Sequence, residues 1–439
     1  MEFYHTEMVI PMNPYMTEVS ERSRFSERRF IMIALRRMYL GFVFTVSVFC
    51  LFNLSLLLIP NAAMAQVSLT PTLLVEEEYS DNWYRSEENE KEFWVTRIWA
   101  GFGLGYGAQT GGRLSVALNL SLGPQFHYSP DSNADASGQD YFAGAADLAL
   151  AYRLTPKVTT SLVNNFTLTR EPAGTDQFSE QTGRELYWRN TLTPSIRYDM
   201  AEKGYISLSY QSDVLLWVSN TDSGQEDSTE HRGIARLVYF LNSRNHMGLN
   251  GNVSRRSYDG DNTNYYAYTG NFTFWHEFNS YFSGRGAVVW QYRDYDSNDL
   301  DNQGKVVFDI GLTGATDRTM LDLSVVRDLV NFTTDDEYFT ATRTNLFLQR
   351  KFQEALRVYV GGYYQYSDYQ NSPRQDDTYS VDVGFGYRFF RRLIEFSAEY
   401  GYRERDSNES GRDYEENRVF FRLSFGADVS DYISRMMSE

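Results

Sequence analysis

The chain has 439 residues, with 41 Lys and Arg against 58 Asp and Glu for a net charge of −17, and a single cysteine. That acidic balance argues against nucleic acid as a partner and against a basic patch seeking anionic lipid. A mean hydropathy of −0.48 excludes a bundle of membrane helices, but not a membrane barrel, which turns only every second residue to lipid.

Residues 1–31 precede an ordinary export signal and are set aside from fold reasoning. Arg36 and Arg37 form a basic start, Leu40 to Ile59 is nearly uncharged and apolar, and Ala63-Met64-Ala65 is a small-x-small cleavage site. Cleavage after Ala65 is expected, with Ala63 and Ala65 as the recognition residues. An uncleaved anchor is the alternative reading, and Phe49 before Cys50 is too bulky for a lipoprotein signal. The mature chain then has 374 residues, 35 basic and 53 acidic, a net of −18. Cys50 leaves with the signal, so no disulfide or thiolate metal site remains.

From residue 66 on, short segments of alternating apolar and polar residues repeat to the end of the chain. Strands are expected near 68–79, 92–106, 113–128, 140–153, 157–170, 185–198, 204–217, 230–240, 246–258, 264–277, 281–295, 305–314, 320–330, 337–352, 356–369, 378–389, 393–405 and 413–425. This gives 18 strands, with 16 as the alternative count. Alternation is clearest at 379–389, where Tyr379, Val381, Val383, Phe385, Tyr387 and Phe389 share one face, against Ser380, Asp382, Gly384, Gly386 and Arg388. The segments 114–122, 306–313 and 394–401 repeat it, whereas 230–240 alternates poorly.

A soluble sandwich also alternates, so the connections have to discriminate. Those after odd strands are long and polar, such as 129–139, 171–183 and 218–228. Those after even strands are tight, such as 155–156, 279–280, 353–355 and 391–392. One rim facing the exterior and the other the periplasm explains that parity. The fold expected is all-β: a single transmembrane up-and-down antiparallel barrel over 66–425, after a signal segment 1–65 and before a short periplasmic tail 426–439. Val419, Phe421, Leu423 and Phe425 place an apolar row on the last strand, as a signal for the barrel-assembly machinery. The 33 Tyr and 30 Phe, against ten Pro, suit strands with aromatic girdles.

Assigning the polar face inward puts Arg97, Arg113, Arg189, Arg197, Arg285, Arg293, Arg343, Arg357, Arg388 and Arg403 in the lumen, beside Asp147, Asp309, Asp382, Glu395 and Glu399. These arginines either attract acidic sugars or line a translocation path, with Trp99, Tyr359 and Tyr363 stacking on sugar faces, or they pair with the acids as a hydrated wall. The second is the plainer reading, because a lumen must be polar whatever passes. About 18 strands tilted near 40° and spaced about 4.8 Å apart give a backbone diameter of roughly 35 Å.

Gly101, Gly103, Gly105 and Gly107 lack the spacing and βαβ context of a dinucleotide loop, and read as a smooth wall leaving space for an infolded loop. Asp81-Asn82, Asp335-Asp336 and Asp376-Asp377 read as solvated turn residues rather than calcium ligands. His127, His231, His246 and His276 have no paired ligand spacing, so no metal site, catalytic centre or cofactor is expected.

The segment Leu69 to Asn82, then Val95 to Tyr106 and Arg113 to Tyr128, resembles the outer-membrane β-barrel porin family found with exopolysaccharide operons and exosortase (PEP-CTERM) systems. Where that family is expected to show Pro before the glycine of the second strand, this chain has Ala100. The resemblance implies an outer-membrane barrel serving export of a secreted polysaccharide, as a passive channel or as an accessory of the exit, with periplasmic export components as partners. The residues alone imply a monomeric barrel in contact with outer-membrane lipid. A general diffusion porin for small solutes is the first alternative and a structural or adhesive surface barrel the second. An enzyme is the reading least favoured.

Overall fold

The computed structural model describes residues 67–426, apart from 89, 108–112, 131–138, 172–183, 219–225, 261–262, 298–301, 332–337, 371 and 391–392. The export signal with Ala63 and Ala65, the tail beyond Gly426 and the pair Asp335-Asp336 lie outside the described residues.

Eighteen strands follow one another as β1 (Val67–Ser80), β2 (Phe93–Tyr106), β3 (Leu114–Tyr128), β4 (Tyr141–Thr155), β5 (Val158–Thr169), β6 (Tyr187–Asp199), β7 (Gly204–Trp217), β8 (Ser228–Asn242), β9 (Asn245–Tyr258), β10 (Tyr265–Glu277), β11 (Phe282–Tyr295), β12 (Gln303–Ala315), β13 (Thr319–Asn331), β14 (Tyr338–Phe352), β15 (Leu356–Tyr369), β16 (Gln375–Phe389), β17 (Ile394–Ser407) and β18 (Tyr414–Gly426). Each is antiparallel to its sequence neighbour. The first strand pairs with the last, from Thr72↔Gly426 to Ser80↔Arg418, so the sheet closes on itself. Closure gives every strand a ladder partner on both sides, the condition for a backbone to cross lipid.

The alternation in sequence becomes the two surfaces of the wall. On β16, Tyr379, Val381, Val383, Phe385 and Tyr387 are exposed on the outside, whereas Thr378 and Ser380 on the opposite face are buried. The same outward apolar row continues around the barrel through Val288, Ile310, Leu346 and Leu423.

One strand start differs from the sequence expectation, and two further features of the ladders have local causes. Strand β16 begins at Gln375, so Asp376 and Asp377 are strand residues paired with Ser407 and Asp406 rather than turn acids. Strand β8 runs over Ser228–Asn242 despite its weak alternation, because β7 and β9 pair with it along its length. Its register sets Ile234, Val238 and Phe240 on the inner face. Prolines interrupt ladders without ending strands. Pro194 lies in the gap of the β6–β7 ladder between Leu192↔Ser212 and Ser195↔Ser209, and Pro124 in the β2–β3 gap between Arg97↔Gln125 and Ala100↔Leu122. Beside Pro124 the strands approach so closely that a Cβ on Gly123 would lie 1.7 Å from the Ile98 carbonyl oxygen, so glycine is required there.

Candidate functional site in the barrel lumen

All fifteen charged residues assigned to the lumen from sequence lie on the side of the wall away from the exposed apolar rows, with Arg113 just before the start of β3. Most of the arginines meet carboxylates. Arg189 bonds Asp213 across β6 and β7, Arg197 bonds Asp199, and Arg285 reaches Asp309. Arg357 and Arg388 share Glu395, each at 2.5 Å. Arg343 donates to Gln365 and stacks 4.1 Å from the Tyr363 ring, which Arg403 also approaches at 5.8 Å. Asp147 accepts from Asn165, Glu399 accepts from Tyr359 and Arg422, and Asp382 lies close under Gly401. Ion pairs within and between strands thus recur along this face of the wall.

Arg97 is the most enclosed of these groups. Its guanidinium meets Glu76 at 2.8 Å, Glu78 at 2.5 Å and Glu171 at 2.7 Å. Glu171 comes from the connection after β5 and also takes Arg184 at 3.1 Å. Arg184 stacks 3.5 Å over Trp83 and donates to its carbonyl. Glu171, Arg184 and Trp83, from two connections, are thus tied to the inner wall. Trp83 is buried against Phe93 and His127, while Arg85 in the same segment reaches Glu416 of β18. Burial alone would raise the Glu171 carboxyl, but Arg184, Arg97 and Arg85 outweigh it and hold it at about 2.

The opposite wall is narrowed by a strand pair. Near the extracellular end of β13 and β14 both faces are buried: Val330, Phe339 and Ala341 cluster with Tyr369, while Leu329 and Tyr338 cluster with Tyr265 and Tyr295 of β10 and β11. Tyr265 and Tyr295 face the lumen, so the end of this hairpin lies inside the barrel. Lys305 of β12 reaches Gln370, just beyond β15, at 2.9 Å.

Gly103 and Gly105 border a recess of about 440 Å³ lined by Ser68, Thr70, Thr72, Asn119 and Asp147. The recess is space of the kind the glycine wall was expected to leave, and Trp83 and Tyr84 of the β1–β2 connection pack at the other end of β2, against Phe93. Gly107, at φ +75, serves the turn out of β2.

Sequence reasoning missed Glu76, Glu78, Glu171, Arg184, Glu416 and the Arg374–Asp376 pair, and missed both infoldings. A signal existed. Trp83-Tyr84 and Tyr338-Phe339 are aromatic pairs at or beside loops that alternation alone would leave polar. Asn82, read as a solvated turn residue, is buried and bonds Ser86 and the Glu415 carbonyl. Among the described residues, no cluster of His, Cys, Asp or Glu is arranged to hold a metal.

Known proteins frame this geometry. Solved barrels align over nearly their whole length: OccK1 (OpdK) of Pseudomonas aeruginosa at 10% identity and TM-score 0.50, covering 82% of this chain and 99% of that one. OccK7 (OpdD) of the same organism aligns at 12% identity and TM-score 0.49, covering 83% and 99%. OccAB4 of Acinetobacter baumannii aligns at 14% identity and TM-score 0.47, covering 84% and 100%. These likenesses concern the fold alone. No curated protein matches the chain. Residues 195–425, more than half of the chain, match the family described as "Putative beta-barrel porin 2". With a closed antiparallel barrel, apolar outside and charged within, the chain belongs to that family and is an outer-membrane porin.

Proposed function

We propose that the protein is a passive diffusion channel for small hydrophilic solutes. One observation carries this reading: the extracellular half of the lumen is narrowed from two sides, by segment 81–92 and by the end of the β13–β14 hairpin, leaving a wall of paired charges for water and small polar molecules. Membership of a porin family supports it. Export of a polysaccharide, the role implied by the resemblance at the N-terminal end, needs a bore through which a glycan threads, and the two infoldings oppose that. The inner-face charges Arg97, Asp147, Arg189, Arg285, Asp309, Arg357 and Glu395 are proposed as the path lining. Residues 1–65 are proposed as an N-terminal extension and signal peptide cleaved after Ala65, and Val419, Phe421, Leu423 and Phe425 on the outer face of β18 as the assembly signal.

Planar-bilayer recordings of the purified protein, together with polysaccharide secretion in a deletion strain, test the reading. Steady ohmic conductance with unchanged secretion is the expected result. Absence of conductance with lost secretion would overturn it in favour of export.

A further inference from the structure

We infer that residues 427–431 extend β18 along the open periplasmic end of β1 and complete the seam of the barrel below Gly426. The inference concerns the wall itself and does not depend on what the channel carries. It starts from a mismatch in length where the sheet closes. The β1–β2 ladder runs down to Val67↔Tyr106, whereas the β1–β18 ladder ends at Thr72↔Gly426. Among the described residues, the five from Val67 to Pro71 therefore have a ladder partner on one side only.

The direction of the open groups follows from the two ends of the seam. The Asp81 N–H donates to the Asn417 carbonyl of β18, and the Gly426 N–H donates to the Leu393 carbonyl just before β17. Backbone groups alternate sides along a strand, so odd-numbered residues of β1 and of β18 face each other across the seam. Past Leu73↔Phe425, the groups left open are the Pro71 carbonyl and the N–H and carbonyl of both Leu69 and Val67. Pro71 has no N–H to offer, so one rung is incomplete there whatever lies opposite. The wall beside this edge is apolar outward: Leu69 pairs with Leu104 and Leu104 with Leu118, on the same face as the exposed Leu73 and Leu122. An open edge is unfavourable in that position, because hydrocarbon supplies no hydrogen bonds.

The residues that follow β18 carry the pattern the edge requires. Continuing the register sets 427–431 opposite Pro71 back to Val67, with the Val429 backbone meeting Leu69 and the Asp431 backbone meeting Val67. Ala427 and Val429 then join Leu423 and Phe425 on the outer face, while Asp428 and Ser430 fall inward beside Thr70 and Ser68 of the recess. The dyad rhythm of β18 thus persists along the open edge and breaks at Asp431, which falls outward. A segment tethered at Gly426 meets this edge at a far higher effective concentration than a separate chain does. Its pairing also hides an edge that would otherwise accept a foreign strand.

The test reads register and backbone pairing separately. In a Cys50→Ser background, Thr70→Cys with Asp428→Cys places two thiols at a non-hydrogen-bonded pair, with Cα atoms about 4.5 Å apart and within disulfide reach. An intramolecular disulfide is expected in high yield on mild oxidation of the folded barrel. Thr70→Cys with Ser430→Cys, two residues out of register, is expected to give little. Amide hydrogen exchange then compares the full chain with one ending at Gly426. The Leu69 amide is expected to be protected in the full chain and to lose that protection in the shortened one, while Val75, paired with Leu423, stays protected in both. Heat-dependent migration in detergent gels verifies folding of each variant.

Equal disulfide yields in the two pairs, or none in the folded barrel, overturn the inference, as does a Leu69 amide that exchanges alike in both chains. A disulfide formed only between molecules assigns the edge to a second copy and overturns it as well. If the shortened chain fails to fold, the two cysteine pairs decide alone. None of these outcomes depends on conductance, so the channel reading stands or falls by its own test.

Discussion

Arg97 shows how a single residue binds the inside of this barrel together. Its side chain is 7% exposed, and Glu76 and Glu78 beside it are 13% and 4% exposed. Removing one partner of so enclosed a group strands the others, at a cost of about 3–5 kcal/mol. Arg97→Ala is expected to lower unfolding stability by that order in detergent. Arg97→Met combined with Glu76→Gln and Glu78→Gln should lose far less, because no uncompensated charge remains. Equal losses in the single and triple variants would refute this account.

Glu171 extends the same network into a loop and makes it sensitive to acid. Its carboxyl stands at about 2 in the folded barrel, below the ordinary 4.5. A lowered folded value means that the anchoring is fully present above about 4.5 and is lost as pH falls towards 2. Arg184 joins Glu171 to Trp83, so tryptophan emission should shift to the red across that window. Glu171→Gln should flatten the shift; an identical profile would assign it to other carboxylates.

The individual strand is the scale at which alternation has energetic meaning. Val383 sits mid-strand on the outer face of β16, whereas Asn119 on the inner face of β3 borders the recess. Val383→Lys buries a charge against hydrocarbon and is expected to cost about 2–4 kcal/mol near the midplane. Asn119→Lys places the same charge in water and should fall within about 0.5 kcal/mol. Reversible unfolding in lipid bilayers measures both, and equal penalties would contradict the assignment of faces. Strand β8 shows why pattern alone is incomplete. Ile234, Val238 and Phe240 break its inner-face polarity, yet β7 and β9 fix its register. Ladder partners on both sides specify a strand even where its own alternation is weak.

For the whole molecule, the count of 18 strands, the parity of long and short connections and the identity of the two faces were all readable from residue order. Each follows from a two-residue period that every strand carries locally. The inner-face position of Arg97, Arg189 or Arg285 was legible for the same reason. Their partners were not. Glu171 lies 74 residues from Arg97, and Glu416 lies 331 residues from Arg85. Only closure of β18 onto β1 brings β18 beside the β1–β2 connection that carries Arg85.

The sequence by itself determined a membrane barrel, because a dyad rhythm repeated from residue 67 onward turns apolar side chains to lipid and polar ones to water. What fills the lumen was decided only by tertiary structure. Segment 81–92 and the end of β13–β14 turn inward through contacts between strands distant in sequence, such as Arg293 with Leu329 and Arg184 with Trp83. Alternation is a property of neighbouring residues along the chain, and it carries no information about which strand end leaves the wall.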